Sequence, residues 1–316
     1  MNKGFHVMPM AQECLKNPEK AENNVEESLR FDTCRVTSPG LEQILQKTIP
    51  VLDHGFIRVV DYMGTDASIV QAARVSYGAG TKKTSEDQGL INYLMRHSHT
   101  TPFEMCEIKL HIKLPIFVMR QLVRHRTASI NEYSARYSVL CNEFYIPEME
   151  KLARQSDTNK QGRSDTPFDA AEAEKVIDVL SKSSVEAYES YRHMLEDLSL
   201  TRELARIVLP VSVYTEIYWK INLHNLFHFL KLRADVHAQY EIRCYAEEIF
   251  NIVKCWVPFS YEAFMRYRKE CVNVSLQWVE IINRMIAGQN ITQENSGLSK
   301  GEWKEFTGAF RLKSSV

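Results

Sequence analysis

The densest chemistry in the chain lies at 124–138, "RHRTASINEYSARYS", which holds three arginines, one histidine, one glutamate and three serines. Guanidinium forks bond two phosphate or carboxylate oxygens at once, and Ser129, Ser134 and Ser138 add hydroxyl donors. Glu132 has two roles open: accepting from a ribose, or pairing with an arginine in a solvated basic turn. The sequence has no G-x-G-x-x-G and no G-x-x-x-x-G-K-[ST]. With these glycine-rich phosphate cradles missing, side chains would have to hold a nucleotide.

Three other clusters compete for attention. "RHSHTTPFE" at 96–104 pairs His97 with His99. That spacing begins a metal site less often than it ends a helix, where imidazolium meets the dipole. In "HNLFHFLKLRADVHAQYEIR", helical spacing puts His224 and His228 on one face, and Arg233, His237 and Glu241 on one face. The zinc motif H-E-x-x-H needs a glutamate after its first histidine, and Asn225 stands there. The plainer reading is a core face of Leu226, Phe229, Leu230 and Leu232 edged by histidines. In "ELARIVLP", Arg206 sits between Ala205 and Ile207. It is either a buried or snorkelling arginine paired with a glutamate, or an anion ligand.

These residues need elements to hold them. "GFIRVVDYMG" from Gly55 reads as a strand, and "FEMCEIKLHIKLP" alternates like a half-buried one. "SVYTEIYWKINL" has the aromatic and β-branched content of a third. Helical spacing runs through "DASIVQAARVSY" and "SEDQGLINYLMRH", with Asp66 and Ser85 as expected N-caps. Pro115 suits the first turn of a helix leading into 124–126. "TASINEYSARY" has no apolar stripe and is expected to be a loop. A long helix is expected over 170–198, and 151–168, nearly free of apolar residues, reads as a mobile surface insertion. Residues 1–46 read as an extension, 47–272 as the main domain and 273–316 as a tail. Strands and helices mix without regular βαβ alternation, so the expected class is α+β.

Composition closes several classes. A formal net charge of −1 provides no basic field for nucleic acid. Hypothetical single-strand binding by the 124–136 loop lacks a second basic stripe. No stretch approaches a membrane span, and no secretory signal opens the sequence. The seven scattered cysteines form no C-x-x-C, which points to reduced thiols in a cytoplasmic protein.

With these blocks in order, the chain resembles one family, the flavin-dependent thymidylate synthases. Their signature is R-H-R, seven residues, then S; here it runs from Arg124-His125-Arg126 through "TASINEY" to Ser134. "ARVSY", "HTTPFE", "FVMRQLVRHRTASINEYSARYS", "ELARIVLP" and "LRADVHAQYEIR" follow the family in order from about residue 55 to 269. No cysteine follows a proline, unlike the classical synthases with their Pro-Cys nucleophile. The resemblance implies a single mixed α/β catalytic domain, with an antiparallel-rich central sheet and flanking helices. It implies reductive methylation of dUMP to dTMP, with methylenetetrahydrofolate as carbon donor and NADPH-reduced FAD as hydride source. It further implies release of tetrahydrofolate, no metal, and a homotetramer with active sites at subunit interfaces.

Site residues follow from the same resemblance. For dUMP it points to Gln121, Leu122, Val123, Arg124, Glu132, Tyr133, Ser134, Ala135, Arg136, Arg206 and Arg233. Arg233 is the catalytic position, facing uracil N3 and O2, where a guanidinium would stabilise charge developing on the ring. For FAD it points to Ser76, His99, Thr101, Arg124, His125, Arg126, Glu132, Asn222, Leu223, His224 and His228.

Overall fold

The structure is a computed structural model in which residues 34–75, 87–157 and 162–312 are described. Residues 37–316 make one unit and 1–36 another; the described strands and helices belong to the former. The expected cap Ser85 and the FAD position Ser76 lie outside the described residues.

Five strands form the main sheet: β1 (Thr48–Val51), β2 (Gly55–Met63), β3 (Glu107–Pro115), β4 (Ser129–Glu132) and β7 (Tyr214–Asn222). Its order is β1-β2-β3-β7-β4, antiparallel at every junction. Alternation in the sequence becomes burial on one face. Ile108, Leu110 and Ile112 of β3 pair with Ile221, Trp219 and Ile217 of β7, and all six are at most 2% exposed. The opposite face carries His111 stacked on Tyr218 at 4.9 Å, with Glu216 Oε2 2.7 Å from His111 Nε2.

The apolar face is covered by α5 (Leu223–Arg233) and α6 (Tyr240–Trp256), through Leu226, Phe229, Leu230, Tyr245, Ile249 and Val253. The remaining longer helices are α1 (Asp66–Val75), α2 (Asp87–Arg96), α3 (Ile116–Leu122), α4 (Ala170–Glu196), α7 (Pro258–Phe264), α8 (Leu276–Ile286) and α9 (Lys300–Ala309). Tail helices α8 and α9 share a cluster of their own around Ile281 and Phe306. Part of the segment read as an extension packs in the main core: Leu41 is fully buried, and Ser38 Oγ donates to Trp256 O at 2.8 Å. No helix of the described residues is long and apolar enough to cross a membrane.

Three local expectations change. "TASINEYSARY" is not all loop: Ser129 to Glu132 pair with Lys220 to Ile217 as the sheet's edge. All four residues are exposed, so no buried face left a pattern to read. The polar run at 151–168 contains the hairpin β5 (Ala153–Gln155) and β6 (Arg163–Pro167), pairing Ala153 with Pro167 and Gln155 with Arg163. Asp66 is the first residue of its helix, and its carboxylate accepts instead from Phe259 N, Ser260 N and Ser260 Oγ of α7.

The β1–β2 turn has one rigid requirement. A Cβ on Gly55 would lie 2.0 Å from Tyr245 Oη and 2.6 Å from Val51 O. Tyr245 cannot swing away freely, because its hydroxyl donates to Lys113 O at 2.8 Å. Gly55→Ala is therefore expected to cost about 2 kcal/mol of stability by overpacking, read as a lower urea midpoint at unchanged slope.

Candidate active site

The 124–138 segment is held at both ends. Val118 and Leu122 anchor α3 in the core, and the helix closes with Val123 N donating to Met119 O at 2.9 Å. Arg124 N and His125 N then donate back to Gln121 O and Leu122 O at 3.3 and 3.0 Å. Downstream, Tyr133 N donates to Glu216 O at 2.8 Å, and the Ser134 carbonyl accepts from Tyr137 N and Ser138 N. Ala135 is buried beneath that turn, whereas Tyr133 is 43% exposed with its hydroxyl donating to Val139 O.

Among the described residues Glu132 pairs with no arginine. Its Oε1 accepts from Thr215 Oγ1 at 3.0 Å, across the β4–β7 ladder. Arg124 and Arg126 are exposed and have no carboxylate partner among the described residues. The solvated-turn alternative needed that pairing. Both guanidinium forks stay available to an anion.

His125 and Arg233 meet at the end of α5. Arg233 Nε donates to His125 Nε2 at 3.0 Å, and the imidazole stands edge-on to Phe229 at 4.9 Å. Burial, then the Arg233 cation, then His228, lower the His125 pKa from its ordinary 6.5 to about 4. The ring is neutral near pH 7, as accepting from Arg233 requires. Burial also lowers the Arg233 pKa, yet a guanidinium keeps its charge. Its two Nη groups have no partner among the described residues.

That histidine gives a pH prediction. The unfolded chain takes up this proton near pH 6.5 and the folded chain only near 4. The folded state therefore loses stability as pH falls through that window, and the term is absent above 6.5. Urea midpoints of wild type and His125→Gln are expected to converge on acidification from 6.5 to 4. Parallel curves would count against a depressed His125.

A cleft of about 280 Å³ gathers His99, His224 and His228 over an apolar floor of Phe103, Phe227 and Phe264. Phe227 and Phe264 stack at 4.4 Å. Lys231 and Arg268 complete a basic rim; Arg268 Nη2 donates to Met95 O and Ser98 Oγ at 2.7 and 2.6 Å. Thr101 opens the short turn below His99, where Thr100 rather than Thr101 lines the cleft. Asn222 caps α5, its Oδ1 accepting from Asn225 N at 3.0 Å, while Leu223 is fully buried. An apolar floor with an imidazole and cationic rim suits a flat ring joined to phosphates. The volume falls at the low end for ligand pockets, so this cleft fits only part of a dinucleotide.

A second hollow, about 760 Å³, runs between α4 and the 136–139 and 199–203 segments. Here Arg136 Nη2 meets Glu203 Oε2 at 2.7 Å, and Arg206 Nε donates to Glu203 O at 3.3 Å. Arg206 is neither buried nor snorkelling: it is exposed, and its neighbours Leu204 and Ile207 are 50% and 74% exposed. Of the apolar residues next to it, Ala205 is buried while Leu204 and Ile207 face the surface.

The expected shared face of Arg233, His237 and Glu241 does not form, because α5 ends at Arg233 and α6 starts at Tyr240. His237 turns out to Asp235 Oδ1 at 2.8 Å. Glu241 is buried, 2% exposed, beside Tyr145 and Gln239. Among the described residues no group of three or more His, Cys, Asp or Glu is placed to hold a metal ion. Burial pushes the Cys106 thiol up to about 12, which makes it a poor nucleophile.

The sites that the sequence pointed to thus gather in two places on one chain: Arg136 and Arg206 about Glu203, and His125, bonded to Arg233, with its ring 5.9 Å from that of His228 at the cleft of His99 and His224. Known proteins share this arrangement of sequence. The family model described as thymidylate synthase complementing protein matches residues 58–259. A flavin-dependent thymidylate synthase of Rickettsia bellii is 57% identical over 286 residues, covering 87% of this chain and 97% of the relative. That of Ruegeria pomeroyi is 56% identical over 302 residues, 95% and 98% of the two chains. Among solved structures, the UMP/dUMP methylase PolB from Streptomyces cacaoi bound with 5-Br UMP superposes with a TM-score of 0.63 at 35% identity, covering 70% of this chain and 98% of that one. Its complex with 5-Br dUMP gives 0.62 at 33% identity, with 70% and 99% covered. With well over half the chain matched and relatives aligned along nearly their whole length, the chain belongs to the thymidylate synthase complementing protein family, the flavin-dependent thymidylate synthases.

Proposed function

We propose that this chain methylates dUMP at C5 to give dTMP, taking the carbon from methylenetetrahydrofolate and reducing power from NADPH by way of FAD, and releasing tetrahydrofolate. The observation that carries it is Arg233: its Nε is fixed by a neutral imidazole, and both Nη groups are left for a ligand. Facing uracil N3 and O2, that fork would stabilise negative charge on the ring and raise the nucleophilicity of C5.

A flavin bound here would supply the hydride. His99, His224 and His228 would hold it over the phenylalanine floor, with Arg124, His125 and Arg126 reaching its phosphates. Ser134, Arg136 and Arg206 would take the nucleotide phosphate, releasing Glu203 from Arg136. Gln121 and Glu132 would orient the sugar and base, with the backbone of 122–123 and 133–135 alongside. Asn222 and Leu223 set the α5 terminus, and Ser76 is assigned to FAD by sequence alone.

Two separate cationic groups and a cleft fit for part of a dinucleotide support a homotetramer whose active sites are completed by neighbouring copies. A cytoplasmic, soluble enzyme without nucleic-acid or membrane partners accords with the charge balance. Tritium release from dUMP labelled at C5 tests the reaction: it is expected only with FAD, NADPH and methylenetetrahydrofolate together. Undiminished release without FAD, or none with all three, would overturn it. His99→Ala is expected to weaken flavin retention about tenfold, read from absorbance at equilibrium dialysis, because it opens one wall of the cleft.

A further inference from the structure

Gln121, which the proposed function places at the dUMP site, is the end of a directed hydrogen-bond chain that starts in the core. Its Nε2 donates to Gln239 Oε1. Gln239 Nε2 donates in turn to Glu241 Oε2 at 2.9 Å. The other carboxylate oxygen, Oε1, accepts from Tyr145 Oη at 3.1 Å and from Arg163 Nη2. Arg163 comes from the β5–β6 hairpin, where its Nη1 also donates to Lys151 O at 3.1 Å.

We propose that Glu241 is a positioning residue for substrate: through Gln239 it sets which way the Gln121 amide faces, and the hairpin clamps Glu241 through Arg163. The role rests on Gln121 touching dUMP. The chemistry is one of donor and acceptor order. A primary amide can face a neighbour with either its oxygen or its NH2 group. A carboxylate facing donors on every side accepts only. Gln239 must therefore turn its NH2 to Glu241 and its oxygen to Gln121. Gln121 must then turn its NH2 to Gln239, and its Oε1 is left without a partner among the described residues.

Glu241→Gln would reverse this order without removing an atom of bulk. Arg163 and Tyr145 both donate to Oε1, so the new amide must keep its oxygen there and turn its NH2 to Gln239. Gln239 and Gln121 would then both have to flip. The swap Glu241→Gln with Gln239→Glu moves the carboxylate one link along. It would accept from residue 241 and from Gln121 together, and so restore the original facing of Gln121.

The test is dUMP affinity by calorimetry on the flavin-loaded protein, with KM and kcat from tritium release. Glu241→Gln is expected to raise the dUMP Kd and KM about tenfold at nearly unchanged kcat and flavin content, and the swap to return Kd to within about threefold of wild type. Unchanged dUMP affinity in Glu241→Gln overturns the proposal, as does a swap no better than the single variant. Should Glu241→Gln not fold, Gln239→Leu at its exposed position carries the same decision: wild-type affinity there overturns it. Gln121→Ala separates the two failures. If it weakens dUMP binding and the Glu241 and Gln239 variants do not, the relay alone is wrong. If wild type binds no dUMP, the proposed function and the relay fall together.

Discussion

Arg233→Ala is expected to lower dUMP turnover about a hundredfold, close to 3 kcal/mol of transition-state stabilisation, while flavin content stays near one per chain. The separation follows from geometry. Arg233 reaches the site from the last turn of α5 and bonds His125 through Nε alone. His99, His224 and His228, proposed as the walls for the flavin ring, line a cleft that Arg233 does not line. Removing the guanidinium therefore removes charge facing the uracil and leaves the cofactor walls standing. A second readout accompanies it: Arg233 is one of the causes holding His125 near 4, so the His125 pKa is expected to rise in the variant. Histidine resonances followed against pH would show that rise. Arg233→Lys should recover little activity, because an ammonium has no planar fork to span two acceptors. Wild-type turnover in Arg233→Ala would dismiss the role at N3 and O2.

Much of the frame was legible because burial writes a pattern. β3 and β7 alternate apolar and polar residues and bury one face each, so both strands could be read from the sequence. The same logic explains what could not be read. β4 is exposed along its whole length and is held by backbone pairing to β7. Pairing of that kind leaves no hydrophobic period. The β5–β6 hairpin is polar for the same reason, with Arg163 spent on a partner far away in sequence. Arg206 misled in the opposite direction: Ala205 is buried, but Leu204 and Ile207 are surface residues, which no local pattern distinguishes from core. Of the site, the R-H-R block and the α5 histidines were visible through motif spacing. The bonds from Gln239 to Gln121, from Arg163 to Glu241 and from Arg268 to Met95 were not, because their partners lie far apart in sequence.

Asp66 belongs with those long-range residues, and its removal is expected to cost more stability than Gly55→Ala. The carboxylate, 9% exposed, crosses from α1 to the start of α7. It accepts from Phe259 N at 2.9 Å, Ser260 N at 3.0 Å and Ser260 Oγ at 2.6 Å. Burial raises its pKa while these bonds pull it back down. Asp66→Ala would leave two amides and a hydroxyl without an acceptor in a buried place, at a cost of about 3 kcal/mol. Asp66→Asn keeps one oxygen and should lose about half as much. The damage would not stay in the scaffold. α7 carries Phe264, which stacks on Phe227 in the floor of the His99–His224–His228 cleft. A loosened α7 should therefore release flavin more readily, although Asp66 itself does not line the cleft. Urea unfolding and flavin dialysis on the same variant test both halves. A midpoint equal to wild type would rule out a stabilising role for the Asp66 bonds to α7. A lowered midpoint with undiminished flavin retention would cut the link from α7 to the cofactor floor. Turnover per bound flavin should be unchanged in either variant, since Asp66 supports the wall of the site and touches none of the groups that act in it.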